Sequence, residues 1–139
     1  MIRHEALLLA LLSMALLGVV DFLRKKAMSS GVEPTVFIAI ESLFVFTSIM
    51  LFIALSGRSF NAPLTALPYA STCGVLIVIS LLAMLYALKV GEASVVVPVV
   101  RLGFTVTFLL AIAFMSEKLT PCKALGIVFA VLAVVLLSR

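Results

Sequence analysis

Residues 34–56 read PTVFIAIESLFVFTSIMLFIALS, with one formal charge, Glu41, and the length and polarity of that stretch decide the fold. A hydrocarbon core about 30 Å thick needs about 20 residues of α-helix to cross it. Four further runs have the same character: Ala6–Leu23, Leu67–Leu88, Ala93–Met115 and Thr120–Ser138. None alternates with the period of two that a membrane β-barrel requires, and helices otherwise satisfy their backbone groups within the segment. The sequence therefore predicts an all-α integral membrane protein, a five-helix transmembrane bundle forming one domain over residues 1–139.

Composition agrees. Hydrophobic residues make up 65% of 139 positions and mean hydropathy is +1.38, whereas soluble domains average about 45–50% apolar. The net charge of +4 does not signal a nucleic-acid partner, because most of the cations sit at span ends, where Lys and Arg flank membrane helices. Cys73 and Cys122 lack metal-ligand spacing. No nucleophile–base pair, phosphate-binding glycine loop or metal cluster stands out, so neither enzyme activity, metal nor cofactor is expected. His4 reads as an interfacial residue. The first run ends in Arg24-Lys25-Lys26 without a small-x-small cleavage site, which marks it as a retained span and not a signal peptide.

Turn chemistry separates the runs. Arg24-Lys25-Lys26 is expected to close the first, and Ser29–Glu33 to form the turn before Pro34, which suits a first helical position. Gly57–Pro63 is the longest connection, and Lys89–Glu92 and Ser116–Pro121 are tighter ones. Five spans place Arg3, Arg58, Lys118 and Lys123 on one side, against Arg24, Lys25, Lys26, Lys89 and Arg139 on the other. Four cations against five barely bias insertion. Either Arg24–Lys26 holds the first loop in the cytoplasm, or the chain inserts both ways and pairs head to tail.

Charges inside spans are costly, about 2.5–3.5 kcal/mol at the bilayer centre on insertion scales, and mark functional candidates. Glu41 and Arg101 lie well inside, and Asp21 lies near the end of the first run. At 100° per residue, Ser94, Pro98, Arg101 and Thr105 share one stripe of the fourth span. Pro98 cannot donate to the Ser94 carbonyl, so a kink with a free carbonyl is expected there. That stripe either lines a polar cavity or lets Arg101 neutralise Glu41 or Asp21; both can hold together. Glu41 would carry protons if burial governs its carboxyl, and would be locked ionised beside a guanidinium. Gly126, Ala130 and Ala133 return to one face of the last span and suit close helix or dimer packing.

Residues 87–98, ALKVGEASVVVP, and 111–120, AIAFMSEKLT, resemble the EamA-type domain of the drug/metabolite transporter superfamily. The likeness lies in the small-residue turn, the early proline, the Glu-x-Leu-Thr span end and a last span beginning near Gly126. Full-length members resemble two such units in inverted repeat around a central cavity, so the resemblance implies one half of an inverted-repeat transporter. Arg101 matches a basic residue that follows the proline in half-size relatives, whereas Glu41 stands where they tend to carry a base. The related small multidrug resistance proteins have an essential carboxylate midway along span 1; here Met14–Gly18 is uncharged.

The resulting expectation is a secondary transporter or flippase of a small metabolite or lipid-linked polar group in the cytoplasmic (inner) membrane. It would act as an antiparallel homodimer, or as a heterodimer with another half-size chain, by alternating access. The alternative is a non-transporting subunit packed within a larger membrane complex.

Overall fold

A computed structural model describes residues 4–57, 63–115 and 120–137. Among these residues every regular element is a helix: α1 His4–Ser29, α2 Pro34–Leu55, α3 Leu67–Val90, α4 Ala93–Arg101, α5 Gly103–Met115 and α6 Pro121–Leu137, with a 3₁₀ turn at Leu64–Ala66. Four segments are long and apolar enough to span a bilayer: His4–Ser29, Pro34–Leu55, Leu64–Val90 and Ala93–Phe114. Pro121–Leu137 is a shorter apolar helix of 17 residues, about 25 Å at 1.5 Å per residue. The loop expected around Arg58–Ala62, the turn at Ser116–Leu119, and Arg3, Ser138 and Arg139 lie outside the described residues.

One expectation needs correction, and one feature is new. Arg24-Lys25-Lys26 does not end the first helix, which continues to Ser29. Lys and Arg are good helix formers, and termination waits for Gly31, whose φ of 85° takes the left-handed conformation that glycine accepts at helix ends. In the fourth run Pro98, where a kink is expected, sits inside α4, and the helix is interrupted beyond it. The break falls at Leu102, whose N–H is shared between the carbonyls of Pro98 and Val99, both at 3.1 Å, while Thr105 bonds back to Leu102 at 2.8 Å. That three-residue spacing tightens the chain just where Gly103, a poor helix former, begins α5.

The helices divide into two compact units, residues 1–22 with 90–139 and residues 23–89. In the second unit, the end of α1, the start of α2 and the end of α3 bury Met28, Pro34, Ile38, Met84, Leu85 and Leu88. A polar strap ties the same helix ends. Lys25 Nζ donates to the Leu88 carbonyl at 2.8 Å, satisfying a group that a helix C-terminus leaves open. Glu33, the N-cap residue of α2, spends its carboxylate on the Tyr86 hydroxyl at 2.8 Å and Lys89 Nζ at 3.2 Å. In the first unit, α6 and α5 pack against α4.

Candidate functional site

In the first unit, the face of α1 formed by Ala10, Ser13, Met14, Leu17, Gly18 and Asp21 follows the i, i+3, i+4, i+7 rule and forms one wall of a groove. Val97 and Arg101, one turn apart on α4, form the other, around a volume of about 530 Å³. Gly18 widens it, since a side chain built there would meet nothing within 4 Å.

At the groove's end, Arg101 Nη2 donates to Asp21 Oδ2 in an ion pair. Its two members are unequally placed: the Asp21 side chain is 3% exposed and the Arg101 side chain 46%. Arg101 is the last residue of α4, and the break at Leu102 ends the helix beside it. A guanidinium carries five N–H donors in a planar fork, so one that binds Asp21 retains donors for a second acceptor.

The remaining candidates sit elsewhere. Ser94 is exposed and its hydroxyl bonds Glu92 Oε2 at 3.4 Å. Pro98 is half-buried, and neither it nor Ser94 or Thr105 belongs to the groove wall. The Thr105 hydroxyl is buried and has no hydrogen-bond partner among the described residues. Glu41, in the second unit, is held by Arg24 at two points, Nη2–Oε1 at 2.6 Å and Nε–Oε2 at 3.4 Å; of the two acids the sequence left open to Arg101, Asp21 is the one it pairs with. Arg24 is 11% and Glu41 23% exposed at the side chain. On α6, Gly126 and Ala133 are exposed and Ala130 is half-buried.

Sequence reading missed Ser13, Gly18 and Arg24. The first two carry no charge to flag them, but their spacing from Asp21, eight and three residues, places them on its helical face. Arg24 was hidden by its neighbours Lys25 and Lys26, which read together as an interfacial flank. Among the described residues, no cluster of three or more His, Cys, Asp or Glu side chains offers a metal site.

Helices long and apolar enough to cross a bilayer, with an ion pair facing a groove between two of them, define a multi-pass membrane protein. The chain belongs to the EamA-like transporter family, which matches over residues 4–139. It is also 43% identical over 72 residues to an uncharacterized protein of Methanocaldococcus jannaschii, a match covering 52% of this chain and 53% of the relative. The chain thus spans about half the length of that curated relative. No solved structure matches it.

Proposed function

We propose that the protein is a secondary transporter or flippase for small anionic, or anion-bearing, polar solutes in the cytoplasmic membrane, with Arg101 as the substrate-binding group. The unequal exposure of the Asp21–Arg101 pair carries this reading. Asp21 neutralises the guanidinium well enough to keep it in the bilayer, while the open side of Arg101 offers a carboxylate or phosphate a charge-assisted, planar contact. Polar Ser13 and the gap at Gly18 leave room beside it. Cations would face a guanidinium in their path and be rejected.

Most of the apolar side chains of these helices are exposed in the single chain, so lipid or other helices must cover them. A second five-helix unit would close the groove on its open side, and an antiparallel second copy is the partner we propose. The near-equal cation counts on the two sides support that arrangement, since either orientation inserts at similar cost. Alternating access then amounts to rocking one unit against the other around a fixed site.

Uptake of radiolabelled organic anions, zwitterions and cations into proteoliposomes tests the assignment. Wild type should carry members of the anion set and be inhibited by unlabelled anions alone, and Arg101→Gln should lose uptake while still assembling. Equal uptake by Arg101→Gln, or a preference for cations, would refute it.

A further inference from the structure

The break in the fourth run changes the bonding of Thr105 twice over. Its N–H donates to Leu102, three residues back, at 2.8 Å, where a continuous α-helix would send it to Arg101, four residues back. Its hydroxyl is buried and has no hydrogen-bond partner among the described residues. Other span hydroxyls donate to the carbonyl four residues back: Thr47 to Leu43 and Thr72 to Pro68, both at 2.8 Å. For Thr105 that carbonyl is again the one of Arg101. Both donors of Thr105 are thus kept from the same acceptor by the break at Leu102.

The side chain of Arg101 is engaged where its backbone is not. Arg101 ends α4 with its guanidinium on Asp21 of α1, and Leu102, next in the chain, shares its N–H between Pro98 and Val99. Gly103 beyond it is helical, and a side chain built there would meet nothing within 4 Å. The backbone therefore has room to change its dihedral angles at this point, as hinge residues at element ends do.

We propose that Leu102–Gly103 is a hinge governed by Asp21. While the carboxylate holds Arg101, the span stays interrupted. Once the guanidinium leaves Asp21, the span closes into one continuous helix in which the Arg101 carbonyl accepts from the Thr105 N–H and hydroxyl. Each form satisfies what the other leaves open, an ion pair in one and the hydrogen bonds of Thr105 in the other, and that balance makes the element bistable. An anion that draws the guanidinium from Asp21 drives the change, because it binds the two forms unequally. This last step rests on Arg101 as the solute-binding group; the hinge itself can be measured without a solute.

Double electron–electron resonance between nitroxides at Ser94→Cys and Leu110→Cys, exposed positions on α4 and α5, tests the proposal. The protein is held in nanodiscs, with Cys73 and Cys122 replaced by serine and labelled chain diluted in unlabelled chain. A continuous helix from 94 to 110 sets the two backbones about 24 Å apart at 1.5 Å per residue, and the interrupted form gives a second distance. Wild type should show mainly the interrupted form. Gly103→Ala should raise the ratio of continuous to interrupted form about fivefold, the preference of a helix interior for alanine, and Asp21→Asn should raise it at least as much. Adding Thr105→Val to Asp21→Asn should cancel most of that rise, whereas adding Thr105→Ser, which keeps the hydroxyl, should not. An Asp21→Asn protein with the wild-type distances, or a rise that Thr105→Val leaves untouched, would overturn the proposal. Distances that shift as described in a protein that takes up no anion would support the hinge and refute the transport assignment alone.

Discussion

Removing Arg101 should harm the fold through Asp21, and restoring neutrality should repair the fold without restoring function. Arg101→Gln takes the guanidinium from a carboxylate that is only 3% exposed. Breaking a fully buried ion pair from one side costs about 3–5 kcal/mol. Two features reduce that figure here: Arg101 is nearly half exposed, and Asp21 makes further interactions. About 1.5–2.5 kcal/mol remains for Arg101→Gln on that scale. Asp21→Asn should cost less, about 0.5–1 kcal/mol, because the orphaned guanidinium can reach a polar phase. The double variant leaves neither charge behind and should lie within about 1 kcal/mol of wild type. The coupling between the sites is then about 1–3.5 kcal/mol, measurable by reversible unfolding in mixed micelles with increasing dodecyl sulfate. Strict additivity, within about 0.3–0.5 kcal/mol, would mean that the two residues do not act as a pair. The double variant should also remain inactive in anion uptake, which separates the structural part of the pair from its binding part.

Other expectations follow from single groups. The Tyr86 hydroxyl, and after it the Lys89 ammonium, hold the Glu33 carboxyl below its ordinary value of 4.5. A lowered folded-state value stabilises the protein above the unfolded-state value, and that contribution disappears as pH falls through the folded one. Wild type should therefore unfold at a higher temperature than Glu33→Gln at pH 6–7, with the gap closing below about pH 4; a gap that widens in acid would contradict the contact. Thr105→Val removes a buried hydroxyl that has no partner among the described residues, at nearly constant shape. It should be neutral or stabilising by up to about 1 kcal/mol, and a loss of more than that in the same unfolding assay would show that the hydroxyl has a working partner. Leu85 is fully buried where α1, α2 and α3 meet. Leu85→Ala should cost about 1–3 kcal/mol, below the 2–5 kcal/mol of water-soluble cores because lipid solvates a leucine as well as a helix does.

The spans were legible because hydropathy sums over about 20 residues, and no local detail outweighs such a total. Their ends were less so. Arg24, Lys25 and Lys26 look like a stop when read for membrane flanking, yet each favours helix, and only Gly31 compels the chain to turn. Pro98 was read as a kink and does lie inside α4; the interruption beyond it, where the chain tightens at Leu102 before Gly103, was not foreseen, because Gly103 carries no signal as plain as a proline. Arg101, Glu41 and Asp21 were visible as charges out of place. Asp21 was one of two acids the sequence left open to Arg101, and the structure chooses it; no periodicity could make that choice, because the contact spans 80 residues. Arg24 was missed as the partner of Glu41: once α1 runs past its expected end, Arg24 becomes a helix residue with a carboxylate in reach.

The central claim is that Arg101 looks into a water-reachable groove. Single cysteines at Ser13 and Val97, which line it, and at exposed Phe129 on α6, can be introduced after replacing Cys73 and Cys122 with serine. Thiolates react and thiols in hydrocarbon do not, so a membrane-impermeant methanethiosulfonate reads out water at each position. Ser13→Cys and Val97→Cys should be modified at least tenfold faster than Phe129→Cys, and transported anions should slow them. Modification no faster than at Phe129→Cys would place the guanidinium in a dry environment and contradict the account.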